Sequence, residues 1–190
     1  GVVSADVHSS VAGEIVKIEE MPGSSGYQEL TVVIKTAPDE FETGIDTGSD
    51  IVKEITASRE EIISAIRKAG IVGMGGAGYP TPIKIELPEN KKADCLIVNA
   101  IECEPYLTAD GALMLEKAEQ IIIGAKIINK ALGIQNAVIA IDENKPQAIE
   151  KLTKISKSYI GVNVRVCKSK YPQGGERQLI NAITGREVPS

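Results

Sequence analysis

Tryptophan is absent from this sequence, and its aromatic residues are five tyrosines and one phenylalanine. Histidine occurs once, as His8, in a segment that reads as β-structure. The side chain most used for acid–base work and metal ligation near neutral pH is therefore nearly missing, and no metal site is expected. The three cysteines, Cys95, Cys103 and Cys167, are odd in number and widely spaced. They fit neither a disulfide framework nor a C-x-x-C site, so reduced thiols are expected. Apolar runs are short: Ile121–Ile123 is followed closely by Lys126 and Lys130. Nothing approaches the roughly 20 residues a spanning helix requires, so any membrane association is expected to pass through partners. Basic charge is not in excess either, with 21 Lys and Arg against 26 Asp and Glu and no basic stripe. That balance argues against nucleic acid as the main partner, because a phosphate backbone is met by clustered Lys and Arg.

What is present is a chain of 190 residues, 43% hydrophobic and 25% charged, able to bury a proper core as one large or two small domains. It opens on Gly1 without a methionine and reads as a piece of a longer chain. Residues 1 to about 36 alternate in the β manner, with "AGEIVKIEEM" and "QELTVVIKT" separated by the turn cluster from Pro22 to Gly26. Two or three short strands bury too little surface to stand as a domain. From Ala37 to Ala57 the chain is acidic and rich in Gly, Thr and Asp, which reads as a solvated connection. The expected division is residues 1–56, a partial β-module with an acidic linker, and 57–190, a separate domain.

In the second part, Ser58 and Glu61 form a capping box, Ile62, Ile66 and Ala69 share a helical face, and Gly70 ends the helix. The apolar runs Asp94–Ala100, Asn136–Ile141 and Val162–Cys167 suit buried parallel strands. Between them lie a long helical pattern from Thr108 to Leu132, closed by Gly133, and a helix opened by Pro146. The order α, β, α, β, α, β, α predicts an α/β layered domain with a mostly parallel sheet.

Ligands of such sheets lie beyond the carboxyl ends of the strands. That rule selects "NAIECEPYLTAD" after the first strand and "KYPQGGERQL" after the third, together with the glycine loop "GIVGMGGAGYPTPIK". Tyr79, Tyr106 and Tyr171 fall in these three segments, where a planar ligand could stack, although tyrosines beside prolines also mark ordinary turns. Gly73, Gly75 and Gly78 satisfy G-x-G-x-x-G, yet a helix precedes them and Pro80 and Pro82 follow, so the dinucleotide fingerprint fails in its context. The local physics remains: glycines allow positive φ and close approach, exposed N–H groups form an anion nest, and Lys84 is placed to meet a phosphate. A loop without a ligand is the plain alternative. Glu102 and Glu104 share a parity and point one way if the strand continues, toward sugar hydroxyls or ring N–H donors. Alternatively they cap the helix that starts near Thr108.

The three motifs "GIVGMGGAGYPT", "NAIECEPYLTAD" and "YPQGGERQLINAITGREVP" resemble the RnfC family, a component of the Rnf-type ion-translocating electron-transport complex. They resemble more distantly the NADH-binding flavoprotein of respiratory complex I. "ADVHSSVAGEIVKIEE" resembles the lipoyl-like, barrel-sandwich β-module of the RnfC family, so the likeness covers essentially the whole chain. It implies a Rossmann-like layered domain that binds FMN and NAD(H), with the cofactor supplying the chemistry. It implies that Gly73, Gly75, Gly76, Ala77, Gly78, Lys84 and Asn99 hold FMN, with Tyr79 stacking and Glu102 on the flavin side. It implies further that Glu104 and Glu176 contact NAD(H), and that Gly174 and Gly175 admit the ring. Gly175 stands where the complex I relative has a glutamate, and Met74 where it has an arginine.

The resemblance also implies an oxidoreductase component that exchanges hydride between nicotinamide and flavin and single electrons with iron–sulfur clusters. The cluster cysteines of the family lie beyond this segment, so the piece alone is not expected to be fully active. Its expected partners are the other Rnf subunits and, indirectly, ferredoxin, at the cytoplasmic side of the membrane and peripheral to it. A soluble flavoprotein reductase of the same type, serving a corrinoid enzyme or proline reductase, is an alternative. So is a non-catalytic assembly module.

Overall fold

The computed structural model describes residues 3–75 and 77–188, so Gly76 lies outside the described residues. The chain forms two units, one of Asp6–Asp50 and one of residues 3–5 with 51–188.

The smaller unit is a two-stranded antiparallel ribbon. Strand β1, Gly13–Pro22, pairs with β2, Gln28–Thr36, from Gly13↔Thr36 to Pro22↔Gln28, with a bulge between Ile15 and Lys17. The turn between the strands is closed by Gly23 N–H donating to Tyr27 O at 2.8 Å, and Gly26 takes φ +80°, a backbone region open to glycine at little cost. No residue of 6–50 is buried.

The larger unit begins with α1, Arg59–Lys68. Its N-terminus is held by the capping box that the sequence predicts: Ser58 N–H donates to Glu61 Oε2 at 2.7 Å, and Glu61 N–H donates to Ser58 Oγ at 3.2 Å. Gly70 at φ +63° then turns the chain away. A short helix follows, α2, Thr81–Ile85, with Pro82 in its first turn, where a missing N–H costs nothing. Then come β3 (Leu96–Ala100), α3 (Ala109–Glu116), α4 (Ala118–Leu132), β4 (Ala137–Asp142), α5 (Pro146–Ser156), β5 (Val162–Cys167) and α6 (Glu176–Thr184).

The sheet is parallel in the order β3-β4-β5, registered from Leu96↔Ala137 and Ala137↔Val162. This is the mixed α/β architecture expected, with a parallel three-stranded sheet in one unit and a small antiparallel sheet in the other. Helical crossovers cover the central strand, so β4 reads as a continuous apolar run and is buried on nearly every residue. One core cluster joins Ile139 and Ile141 to Met114, Ile122 and Leu152. A second joins Ala140 to Ile101, Cys167 and Leu179. Among the described residues, no helix is long and apolar enough to cross a membrane.

The structure differs from the sequence expectation in one element. The helical pattern from Thr108 to Leu132 is two helices, broken at Lys117 with φ −119° and ψ 27°. Neither glycine nor proline marks the break. Both helices pack on α5; α3 is in addition fixed at its start by Glu102, and α4 packs on the sheet and on α1.

Candidate functional site

The glycine loop, β3 and the first turns of α6 face one cleft. The glycine loop is pinched at its base by an isolated bridge between Val72 and Pro80 and by Gly73 N–H donating to Tyr79 O at 2.9 Å. Gly78 within it takes φ +59°. A Cβ on Gly73 would lie 2.7 Å from Lys84 Nζ, so the ammonium rests close against the loop backbone. That ammonium also sits 5.9 Å from the Tyr79 ring centroid, within cation–π range. A Cβ on Gly75 would meet nothing within 4 Å.

The loop forms one side of a cleft of about 640 Å³, whose polar lining includes Lys84, Asn99, Asp110 and Glu176 beside Gly73 and Gly75. Ile97, Leu179 and Ile180 give it an apolar wall. Asn99, near the end of β3, donates from Nδ2 to Gly174 O at 2.9 Å, while its Oδ1 accepts from Ile101 N–H at 3.3 Å. It thereby ties the loop after β3 to the loop after β5. Burial, followed by the nearby Glu102 charge, pushes the Asp110 carboxyl above its usual range, with Lys145 opposing. Burial pushes the Cys95 thiol in the same cleft up as well.

The structure therefore gathers Gly73, Gly75, Lys84, Asn99 and Glu176 around one cavity, with Tyr79 beside Lys84. Ala77 and Gly78 belong to the glycine loop but do not line the cleft, and Gly76 lies outside the described residues. Glu104 is exposed on the loop after β3, near the thiol of Cys103. Gly174 and Gly175 stand at the start of α6, and each has an internal reason to be glycine. A Cβ on Gly174 would lie 3.3 Å from Ile101 O and from Cys103 Sγ, and one on Gly175 would lie 3.1 Å from Pro172 O. Tyr171 is exposed, and Tyr106 is fully exposed at φ +69°.

For Glu102 the structure shows the helix-capping alternative of the sequence reading, not the strand-parity one. Strand β3 ends at Ala100, so the alternation that would align Glu102 with Glu104 does not continue. The Glu102 side chain is buried and accepts from Asp110 N–H at 2.7 Å and Gly111 N–H at 3.1 Å, capping α3, and it pairs with Lys145 Nζ at 3.0 Å. Its own N–H donates to Asp142 Oδ2 at 2.7 Å. Asp110, Asp142 and Lys145 are not among the residues that the sequence singles out. A carboxylate closing a wholly apolar strand was the available signal for Asp142, since a buried charge needs a partner.

A family model described as "Nuo51 FMN-binding domain" matches residues 66–190, most of the chain. The chain belongs to the Nuo51 FMN-binding domain family. Among curated relatives of this family member, the C component of the Na(+)-translocating ferredoxin:NAD(+) oxidoreductase complex of Acetobacterium woodii is 43% identical, covering 100% of this chain and 42% of the relative. The C component of the proton-translocating ferredoxin:NAD(+) oxidoreductase complex of Clostridium ljungdahlii is 44% identical, over 99% and 40%. The C component of the ion-translocating oxidoreductase complex of Rhodobacter capsulatus is 37% identical, over 100% and 37%. The chain thus spans 42% or less of the length of these relatives. The crystal structure of an NAD+-reducing [NiFe]-hydrogenase in the air-oxidized state matches with a TM-score of 0.60 at 26% identity, over 68% of this chain and 24% of that one.

Proposed function

We propose that the cleft beneath the glycine loop holds FMN, that NAD(H) binds at the same site, and that the chain is the flavin and nicotinamide module of an ion-translocating ferredoxin:NAD+ oxidoreductase. The observation that carries this reading is the joint placement of the Lys84 ammonium and the open backbone at Gly75 on one cleft, alongside β3 and α6. The residues fit the cofactor. Lys84 and the loop N–H groups offer a phosphate both charge and donors. Gly75 leaves space where any side chain would stand. Asn99 retains a second amide hydrogen beyond the one given to Gly174. The wall of Ile97, Leu179 and Ile180 suits the apolar body of a ring system, and Tyr79 flanks the lysine. Gly76, Ala77 and Gly78 complete the loop in this reading, and Gly174 and Gly175 shape the far rim. Glu176, in the first turn of α6, and Glu104 are acceptors for nucleotide hydroxyl or amide donors.

When bound, FMN supplies hydride exchange with nicotinamide and single-electron exchange with iron–sulfur clusters, which this reading places in the longer protein outside these residues. The chain binds and orients; it contributes no reacting side chain of its own. Residues 57–190 form the FMN and NAD(H) domain and 1–56 part of a lipoyl-like β-module. The partners are the other subunits of the complex, with ferredoxin reached through them. They hold the module at the cytoplasmic face of the membrane.

Titration of the flavin-free full-length protein with FMN, read by quenching of flavin fluorescence, tests the reading. Lys84→Ala is expected to weaken binding about 10-fold or more, the scale of a lost charge-assisted hydrogen bond. Gly75→Val, which meets no neighbour in the chain, is expected to abolish binding while the protein stays folded. Wild-type affinity in both variants would overturn the assignment.

A further inference from the structure

The larger unit carries a second concavity, of about 700 Å³, which shares no lining residue with the cleft beneath the glycine loop. Its floor is apolar: Ile155 of α5 and Tyr159, both half-buried and packed on the core cluster around Ile139. Its rim is basic. Lys151 and Lys154 stand one turn apart on α5, on the face they share with Ile155, and Lys53 joins them from the segment before α1. Lys126 of α4 adds a further ammonium, 5.6 Å from the centroid of the Tyr159 ring. Among the described residues that line the groove, Glu119 is the single acid, and it is already engaged. Its Oε1 accepts from Lys53 Nζ at 2.8 Å and from Tyr159 Oη at 2.6 Å. These bonds, that of Lys53 foremost, hold the Glu119 carboxyl below its usual range. Glu119 thus cancels Lys53, and the charges of Lys126, Lys151 and Lys154 remain around an apolar floor.

The rim is held in place by the chain itself. Lys130 Nζ donates to Ile55 O at 2.5 Å, which ties the segment carrying Lys53 to the far end of α4, and Lys151 donates to Leu115 O in the last turn of α3. A lysine in the last turn of a helix has an ordinary reason to be there, because it meets the helix dipole. That reason covers Lys154, and it does not cover Lys53, Lys126 or Lys151. In a chain whose 26 acidic residues outnumber its 21 lysines and arginines, such a gathering of one sign fits an occupant of the other.

We propose that this groove docks an acidic segment of a partner protein, its carboxylates paired with Lys151 and Lys154 and an apolar side chain seated on Ile155 and Tyr159. Complementary charge of this kind steers encounter and fixes register. The concavity favours a protein segment over a lipid headgroup layer, because a flat anionic surface meets the lysine rim and leaves the apolar floor uncovered. The inference goes beyond the flavin reading and does not depend on it.

The test uses the full-length protein and a fluorescein-labelled Glu/Leu peptide, read by anisotropy at low ionic strength. The double variant Lys151→Glu/Lys154→Glu is expected to weaken binding about 10-fold or more, as attraction at the rim becomes repulsion. Lys91→Glu/Lys92→Glu makes the same change of net charge at exposed residues outside the groove, and should leave binding within about twofold. All four lysines are exposed, so thermal unfolding should show each variant folded. An all-Glu peptide of the same length should bind more weakly than the Glu/Leu peptide, since it leaves the floor unused. Equal weakening by the two double variants, or no binding by the wild type, overturns the proposal. So does wild-type binding to phosphatidylserine vesicles that Lys151→Glu/Lys154→Glu abolishes while the peptide stays unbound, which assigns the rim to a membrane surface. A second measurement takes the protein purified with its natural partners and treats it with a carbodiimide, which joins lysines to carboxylates without a spacer. Lys151 or Lys154 should be found linked to an acidic peptide of another chain. Links from these lysines to this chain's own carboxylates alone would overturn the docking role.

Discussion

The β1–β2 ribbon and the β3–β4–β5 sheet are both written in short runs rich in Val and Ile, yet the ribbon buries none of its residues while β4 buries all but one. In the ribbon, Ile15, Ile18 and Leu30 are 60%, 59% and 76% exposed. In the sheet, Ile139 and Ile141 are 0% exposed, because they share a core cluster with Ile122 of α4 and Leu152 of α5. A period of two is enough to pair strands, but a cooperative unit needs a second layer. The ribbon's stability within this chain is accordingly that of hydrogen bonds and partial cross-strand contact. The sheet's is that of packed side chains.

The largest expected effect comes from setting one residue of each region against the other. Leu152→Ala removes a fully buried side chain from the cluster around Ile139 and should cost about 2–5 kcal/mol of unfolding free energy. Ile18→Ala should cost under about 0.5 kcal/mol. Urea unfolding followed by circular dichroism measures both. Equal losses would mean that the ribbon shares the sheet's cooperative core. A smaller contrast concerns polar groups. Asp142 is 0% exposed and holds Glu102 N–H, so Asp142→Ala strands a buried donor and should cost about 1–3 kcal/mol. In the ribbon, the Lys17–Glu19 pair at 2.5 Å is 55% and 39% exposed, so Glu19→Ala should change stability by less than about 1 kcal/mol.

The same contrast explains what could be read from the sequence. Segments whose character is local were legible: the capping box at Ser58, the apolar run of β4, Pro146 opening α5, and both ribbon strands. The topology rule selects the glycine loop, the loop after β3 and the loop after β5; the cleft is lined by the first of these, and otherwise by residues along β3 and in α3 and α6. Features decided across long separations were not legible. For Glu102 the sequence leaves a ligand contact by strand parity and a helix cap both open; the cap is what forms, and the partner Lys145 is what the sequence does not show. Asn99 reads as a cofactor contact, and its bond to Gly174 spans 75 positions. The break at Lys117 carries neither glycine nor proline to mark it in the sequence.

The smallest expected effect tests whether the larger unit carries charge-dependent stability at its exposed helix start. The Ser58 backbone N–H bonded to the Glu61 carboxylate, aided by the Ser58 side chain, holds that carboxyl below its usual range. A carboxyl with a lower pKa folded than unfolded stabilises the native state above its unfolded pKa. That contribution disappears as pH falls through the folded value. Thermal unfolding of the wild type and of Glu61→Gln, from neutral pH down through the carboxylate range, should therefore show a gap that is widest at neutral pH and closes on acidification. Ser58→Ala should remove about 1 kcal/mol at neutral pH by deleting the cap. It should also flatten the pH dependence attributable to Glu61, because the hydroxyl that orders the turn is gone. A gap between wild type and Glu61→Gln that widens on acidification would mean that the α1 cap owes nothing to the carboxylate's charge.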